Sequence, residues 1–356
     1  MKRRQYLATV GGAAGIGLSG CIASPGSSGS DEGTLTVATY DSFVESQSSL
    51  DAPATWLKDR FESEHEDVTI EWTNPDSGLN HYVQRAREGV EFDADVYLGV
   101  NVDDLIRADE QLEDSLFQDL DRGSVGNADS VKSELEFDPE GRLLPYDTGY
   151  ISLVYDEGEV SGPETFDQLL DPAYEGTLLA QNAQQSDPGQ AFLLWTINQF
   201  GEDGYLDYWR DLQDNDVRIL GSWWDSYSAY SEGERPMVVS YSTDQVYANR
   251  DGLDMSRHQL GFLEDQGYAN PEGMGVFADS ERSELAHEFF DFVLSPAAQG
   301  QIATLNVQFP ATTDADLNEE FDQYAHEPPE TVFYGYEDLQ GNLDGWVEDW
   351  AREIAG

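Results

Sequence analysis

Aromatic rings and carboxylates occur together at the ends of apolar segments in this sequence. The aromatic candidates are Trp223, Tyr227, Tyr241 and Tyr247. Tyr40 and Asp41 stand at the end of the first apolar segment. An aromatic face stacks on flat rings and attracts cations, with about 0.5–2 kcal/mol per contact, and a carboxylate pairs with a cation or an amine. These residue types suit a flat, positively charged molecule.

Small polar residues precede two predicted helices. Ser77 and Gly78 lie at the start of one helix, and Ser186 lies just before another that begins at Gly189. The free N–H groups of a helix N-terminus bind anions such as phosphate. A serine at this position is also a common helix cap. The sequence leaves both roles open.

Residue types that catalysis usually needs are scarce in the body of the chain. The single cysteine is Cys21, near the N-terminus, and no Gly-x-Ser-x-Gly turn occurs. The histidines show no metal-ligand spacing; they are His65, His81, His258, His287 and His326. We therefore expect no enzymatic activity, no cofactor and no bound metal.

Strand and helix patterns alternate from residue 34 onwards. Period-two alternation predicts a strand over 35–40, and amphipathic spacing predicts a helix over 56–65. A strand over 68–72 and a helix over 79–88 follow. The nearly all-apolar run 94–100 predicts a strand that is covered on both faces. This order is typical of a doubly wound α/β lobe.

The second half of the chain continues the alternation. We predict strands over 151–155 and 236–241, and helices over 165–170, 189–200, 204–214 and 283–294. Trp195 lies on an apolar helix face and is expected in the core. Trp223 follows Gly221 and Ser222 in a predicted loop, where a large ring needs something to cover.

The charge balance is strongly acidic. Asp and Glu number 71 against 18 Lys plus Arg, a formal net charge of −53. Such a surface repels nucleic-acid phosphates and anionic lipids, so we expect no nucleic-acid partner. A dense carboxylate surface stays hydrated in strong salt, where its repulsion is screened. The composition therefore predicts a halophilic archaeal source and says little about the ligand.

The N-terminus has the order of an export signal and an anchor. Arg3 and Arg4 precede a weakly apolar stretch that is shorter than the roughly 20 residues needed to span a bilayer. The stretch ends in Leu-Ser-Gly-Cys, which looks like a lipobox. We predict a twin-arginine signal peptide over 1–21, lipidation of Cys21 and a flexible tether over 22–33. The protein would be exported and held on the outer face of the cytoplasmic membrane by its lipid alone.

Several short sequence motifs of the mature chain carry a family resemblance. They are Thr39-Tyr40-Asp41-Ser42-Phe43, Pro145-Tyr146-Asp147-Thr148-Gly149-Tyr150, Ser186-Asp187-Pro188-Gly189 with Leu193-Leu194-Trp195, Ser222-Trp223 with Tyr227, and Val239-Ser240-Tyr241-Ser242-Thr243. On these residues the chain resembles the periplasmic thiamine-binding proteins, within the type II solute-binding proteins. The resemblance runs from about residue 34 to residue 350.

That resemblance implies a two-lobed α/β fold with mostly parallel, doubly wound sheets. Lobe 1 would contain 34–150 and 270–356, and lobe 2 would contain 151–269. The ligand would lie in the cleft between the lobes, at the carboxyl ends of the strands. Asp147 reads as a turn residue beside the crossing between lobes.

The resemblance also implies which residues contact the ligand. Family contact positions match Ser77, Gly78, Ser186, Trp223, Tyr241, Ser242, Thr243, Asp244 and Gln245. Together with Tyr40, Asp41, Tyr227 and Tyr247 they form the predicted site. The family also tends to carry two further tryptophans, so in this chain one aromatic wall would either be missing or be supplied by Phe309 or Trp56.

The function implied is that of the substrate-binding component of an ABC importer. The ligand would be thiamine or a thiamine phosphate, and the partners of the monomer would be a membrane permease and an ATPase. Two alternatives share the fold: a binder of a polyamine or another cationic solute, and a ferric-ion binder. A ferric site would want two adjacent tyrosines, and Tyr241 and Tyr247 are not adjacent.

Overall fold

A computed structural model describes residues 33–45 and 50–354. The predicted signal peptide, Cys21 and nearly all of the predicted tether lie outside these residues. Within the described part, no helix combines the length and the apolar character that crossing a bilayer requires.

The strands and helices alternate through most of the chain. The strands are β1 (Thr34–Ala38), β2 (Thr69–Thr73), β3 (Val96–Val100), β4 (Leu144–Tyr155), β5 (Leu178–Gln181), β6 (Arg218–Leu220), β7 (Met237–Tyr241), β8 (Gln259–Gly261), β9 (Gln266–Val276), β10 (Phe309–Pro310) and β11 (Glu330–Val332). The helices are α1 (Asp41–Val44), α2 (Pro53–Glu64), α3 (Asn80–Glu88), α4 (Val102–Gln111), α5 (Asp187–Phe200), α6 (Tyr205–Asp214), α7 (Trp223–Ser231), α8 (Asp244–Arg250), α9 (Ser283–Val293), α10 (Pro296–Asn306), α11 (Glu319–Tyr324), α12 (Tyr336–Leu339) and α13 (Leu343–Glu353).

The strands form a mixed sheet in the order β2-β1-β3-β9-β4-β7-β5-β6. The outer strands pair in parallel: β1 with β2 and β3, and β5 with β6 and β7. The central pairs are antiparallel, namely β3 with β9, β9 with β4, and β4 with β7. The two outer groups therefore have the parallel, helix-connected character that the sequence predicts.

The two long strands β4 and β9 connect the outer groups of strands. β4 pairs with β9 through its first half and with β7 through its second half. The predicted lobe boundaries at residues 150 and 270 fall inside these two strands, and they stay a prediction.

Local sequence explains why most of the predicted elements form. Helix α3 ends at Gly89, whose φ of 65° is the left-handed geometry that glycine adopts without strain. β3 is buried along its whole length, as its apolar run predicts. The predicted helix over 165–170 is instead a short 3-10 turn at Asp167–Leu170.

The core has two main parts. One lies under β1 and β3 and contains Phe43 and Phe61 with residues of α9 and α10. The larger part includes Trp195 and Trp209 on α5 and α6, and it reaches Trp350 on α13. Trp195 has no exposed surface, which confirms its predicted place in the core.

Candidate functional site

Three aromatic rings come together where β7 ends and α7 begins. The rings of Trp223 and Tyr227 stack with centroids 4.9 Å apart and an interplanar angle of 21°. The ring of Tyr241, the last residue of β7, lies 6.4 Å from that of Trp223. We call these three residues the aromatic stack.

The stack depends on a helix that was not predicted from the sequence. Trp223 was expected in a loop, and this was wrong, because it is the first residue of α7. Ser222 caps this helix by accepting a hydrogen bond from the backbone N–H of Asp225 at 3.1 Å. The helix places residues four apart on one face, so Trp223 and Tyr227 stack.

Polar side chains hold the stack from inside the protein. The indole N–H of Trp223 donates to Ser240 Oγ at 3.0 Å. The Tyr227 hydroxyl donates to Asp244 Oδ1, and Asp244 Oδ2 lies 2.7 Å from His258 Nδ1. Asp244 is only 4% exposed. It therefore supports the stack, with a protein group against each of its oxygens.

The other predicted contact residues that follow Tyr241 in the sequence lie in different surroundings. Ser242 and Thr243 are buried at the start of α8. Gln245 donates from Nε2 to the His258 carbonyl at 2.7 Å, and its Oε1 lies 3.1 Å from His326 Nε2. Tyr247 packs against a separate apolar cluster. The structure therefore does not bring Gln245 or Tyr247 onto the stack.

A second group of residues surrounds Tyr40. Its hydroxyl lies 3.2 Å from that of Tyr146 and accepts a hydrogen bond from Asn306 Nδ2 at 3.0 Å. The same amide donates to Asp147 Oδ2 at 2.9 Å. Tyr146 donates to Glu272 Oε2 at 2.6 Å. We call Asp147 and Glu272 the carboxylate pair.

The carboxylate pair is the main feature that sequence reasoning missed. Asp147 was expected in a turn, and this was wrong: it lies inside β4 with no exposed surface. Burial, followed by the charge of Glu272, raises the pKa of Asp147 well above its ordinary value. Burial also raises the pKa of Glu272 to about 7. A charged residue inside a run of apolar and aromatic residues was the signal that could have found Asp147.

Tyr241 connects the stack with the carboxylate pair. A Cβ at Gly149, two residues after Asp147 in β4, would lie 2.7 Å from the Tyr241 ring. Glycine at this position therefore lets the ring lie directly on the backbone of β4. Burial raises the pKa of Tyr241, and the charges of Asp187, Glu272 and Asp147 raise it further.

The remaining predicted residues lie around helix N-termini. Ser77 is exposed, and Gly78 has a φ of 54° in the turn before α3. Ser186 occupies the cap position of α5 but makes no capping hydrogen bond. Asp41 is exposed and accepts a hydrogen bond from the side chain of Asn74.

Several buried polar atoms have no hydrogen-bond partner within the part of the protein that the structure describes. Among them are Asn101 Oδ1, Asp147 Oδ1, Ser186 Oγ, Ser242 Oγ and Gln308 Oε1. Leaving a buried polar atom unpaired costs about 1–3 kcal/mol, so such atoms are expected to bond to water or to a ligand. Asn101 follows β3 and Ser242 follows β7, at the carboxyl ends of strands, where open α/β sheets bind ligands.

The expected substitutes for the family tryptophans lie elsewhere. Phe309 is 4% exposed and packs edge-on against Tyr150. Trp56, which is half-buried on α2, stacks on Phe292 with ring centroids 6.2 Å apart. Among the described residues neither ring pairs with a ring of the stack, which leaves the alternative that this aromatic wall is missing.

Acidic side chains surround Arg107, next to this region. Arg107 Nη1 donates to Asp103 Oδ2 at 2.7 Å and lies 3.7 Å from Asp104 Oδ1. Its Nη2 donates to Gln190 on α5 at 3.3 Å. A pocket between α4 and α5 is lined by Asp103, Asp187 and Gln190 among others. Among the described residues, no group of three or more His, Cys, Asp or Glu side chains is arranged to hold a metal ion.

The sequence is similar to those of known solute-binding and uptake proteins. Residues 107–340 match the family model described as bacterial extracellular solute-binding protein. The thiamine-binding periplasmic protein of Escherichia coli K12 is 26% identical over 322 residues, which cover 90% of this chain and 93% of that protein. Iron uptake protein A1 of Synechocystis is 24% identical over 249 residues, 65% of each chain.

A solved structure has the same fold. The periplasmic thiamin binding protein matches with a TM-score of 0.74 and 25% identity, covering 90% of this chain and 96% of that one. The prediction of a two-lobed type II periplasmic-binding-protein fold is therefore confirmed. The predicted resemblance to the thiamine-binding proteins is confirmed as well.

Proposed function

Because the chain belongs to the bacterial extracellular solute-binding protein family, we propose that it binds thiamine or a thiamine phosphate and delivers it to an ABC importer. The observation that carries the proposal is the aromatic stack beside a buried carboxylate pair, joined through Tyr241. The curated relatives of similar length that bind thiamine support the same ligand.

Thiamine matches this combination of groups. It has a permanently cationic thiazolium ring and a flat aminopyrimidine ring, and both suit aromatic faces. A ring stacked on Trp223 gains contact area, and a cation beside an aromatic face gains about 0.5–2 kcal/mol. The carboxylate pair supplies negative charge for the thiazolium or for the exocyclic amine.

The hydroxyethyl arm needs polar partners of another kind. Ser77 and Gly78 lie in the turn before α3, and Ser186 lies at the cap of α5 with its Oγ unpaired. Backbone N–H groups at these two ends donate hydrogen bonds to a hydroxyl or a phosphate oxygen. We propose that the arm of the ligand reaches one of these ends.

Transport requires export and partners. We propose that the twin-arginine signal and the lipidated Cys21 place the protein on the outer face of the cytoplasmic membrane. There the monomer would present its ligand to a permease driven by an ATPase. Its role in this proposal is binding and delivery, without catalysis.

Calorimetry in molar salt tests the ligand. We expect thiamine or one of its phosphates to bind and to raise the melting temperature. A ligand at about 100 times its dissociation constant stabilises the fold by about 2.7 kcal/mol. Spermidine and ferric citrate are the matched competitors. A clear rise of the melting temperature with either of them, and none with thiamine, would show that the site binds that ligand instead.

A further inference from the structure

The two carboxylates lie side by side across two strands. Asp147 of β4 and Glu272 of β9 are direct cross-strand partners, so their side chains project from the same face of the sheet. Asp147 has no exposed surface, and Glu272 is partly exposed. The pair therefore has one buried member and one that can reach a ligand.

The hydrogen-bond donors around the pair are uncharged. Tyr146 donates to Glu272 Oε2 at 2.6 Å, and Asn306 donates to Asp147 Oδ2 at 2.9 Å. Tyr40 also hydrogen bonds to Glu272. Asp147 Oδ1 is buried and has no hydrogen-bond partner among residues 33–45 and 50–354. Hydroxyl and amide donors orient the carboxylates without neutralising their charge.

Two aromatic rings lie near the carboxylate pair, one over β3 and the other over β4. The ring of Tyr40 lies over Gly99 of β3, where an added Cβ would be 2.6 Å from the ring and 3.7 Å from Glu272 Oε2. The ring of Tyr241 lies over Gly149 of β4 in the same way. Carboxylates between aromatic rings are the groups that recognise an organic cation.

We propose that Asp147 and Glu272 form the subsite for the positively charged ring of the ligand, and that this ring displaces a proton which the two carboxylates share in the ligand-free protein. The inference rests on the proposed function, since it takes thiamine as the ligand. The proton leaves for solvent, and the site gains one negative charge as one fixed positive charge arrives.

The surrounding groups support a shared proton. Two neighbouring carboxylates, one buried and one partly exposed, resist ionising together, and they titrate as a pair. The titratable groups that face them are Tyr40, Tyr97, Tyr146, Tyr241, Asp104 and Asp187. Burial raises the pKa of each of these four tyrosines, so the tyrosines stay neutral. The negative charge of Asp187 further favours the protonated form of Glu272.

The sign of the pH dependence follows from this charge balance. Below about pH 7 the ligand-free protein holds the proton, and thiamine must displace it. Well above that pH Glu272 is ionised before thiamine arrives, while Asp147, whose pKa is raised well above its ordinary value, keeps its proton. Thiamine affinity should therefore rise with pH, by at most about tenfold per pH unit for one proton, and become level near pH 8.

Calorimetry in buffers of different ionisation enthalpy counts the protons released. We expect close to one proton per thiamine at pH 6 and close to none at pH 9. Glu272→Gln should abolish the release at pH 6 and lower the affinity at pH 9 by about tenfold or more, because one negative charge is lost. Glu288→Gln, an exposed change on α9, is the matched control and should behave as wild type. Asp147→Asn provides a second variant if Glu272→Gln unfolds.

The outcomes separate the inference from the function. Thiamine binding without buffer-dependent proton release at pH 6 overturns the shared-proton subsite and leaves the proposed function standing. If Glu272→Gln binds thiamine and releases protons as Glu288→Gln does, the shared-proton subsite is likewise overturned and the proposed function stands. Failure of thiamine to bind at every pH overturns the proposed function, and the subsite falls with it.

Discussion

Replacing Trp223 by alanine should weaken ligand binding far more than it weakens the fold. The substitution removes the ring that stacks on Tyr227 at 4.9 Å and the hydrogen bond to Ser240. Trp223 is only partly buried, so one of its faces is available to a ligand. Loss of one stacking or cation–π contact and of the apolar area it covers gives about 1–3 kcal/mol. Thiamine affinity should fall roughly 5- to 150-fold.

Trp195 supplies the control, because it is a tryptophan of the opposite kind. It has no exposed surface and packs edge-on against Phe166, 5.1 Å away. Truncating a core tryptophan costs about 3–5 kcal/mol of stability. Trp195→Ala should therefore lower the urea midpoint strongly and leave the affinity of the folded fraction unchanged.

Affinity by calorimetry and stability by urea unfolding, both in molar salt, distinguish the two variants. A general destabilisation would weaken apparent binding in both proteins together. The reasoning is refuted if Trp223→Ala binds thiamine as wild type does while Trp195→Ala loses binding with its urea midpoint intact. In that case the stack is not the binding surface.

Three further outcomes are expected. Arg142→Met should lower the unfolding free energy by about 3–5 kcal/mol in urea melts, because it leaves Asp138 and Asp109 without the buried guanidinium that bonds both; an unchanged midpoint would contradict this. Ligand-free protein should lose stability as pH rises from 4.5 to about 7, because Glu272 binds its proton more tightly in the folded protein than in the unfolded chain. In urea melts, the stability of Glu272→Gln should depend less on pH over this range. Cys21→Ser should release the folded protein into the medium, and persistence in washed membranes would contradict the lipid anchor.

Periodicity predicted β1, β2, β3 and β7 well, because each is defined by its own residues, but it missed the short strands β5 and β6. The all-apolar run that became β3 and the amphipathic run that became α3 needed no distant partner. β9 was harder, because Pro271 stands inside it and proline usually argues against a strand. The antiparallel pairing of β9 with β3 and β4 joins distant segments, and local pattern contains no information about it.

The candidate site also contains residues that the sequence predicted and residues that it did not. Ring chemistry and the family motifs identified Trp223, Tyr227 and Tyr241, and these rings do come together. The helix that begins at Trp223 was missed, although the Ser222 cap and the helical spacing of Trp223, Tyr227 and Tyr230 indicate it. The carboxylate pair was beyond reach, because Asp147 and Glu272 are 125 positions apart and meet only through strand register.

The antiparallel pairing of β4 with β9 also limits how the halves of this molecule can move. From Thr148–Pro271 to Ile151–Tyr268 the two strands that join the halves are hydrogen-bonded to each other. Sliding one half past the other would break these hydrogen bonds, whereas bending or twisting the two-stranded ribbon keeps them. Relative motion of the two halves is therefore expected as bending and twisting of this ribbon.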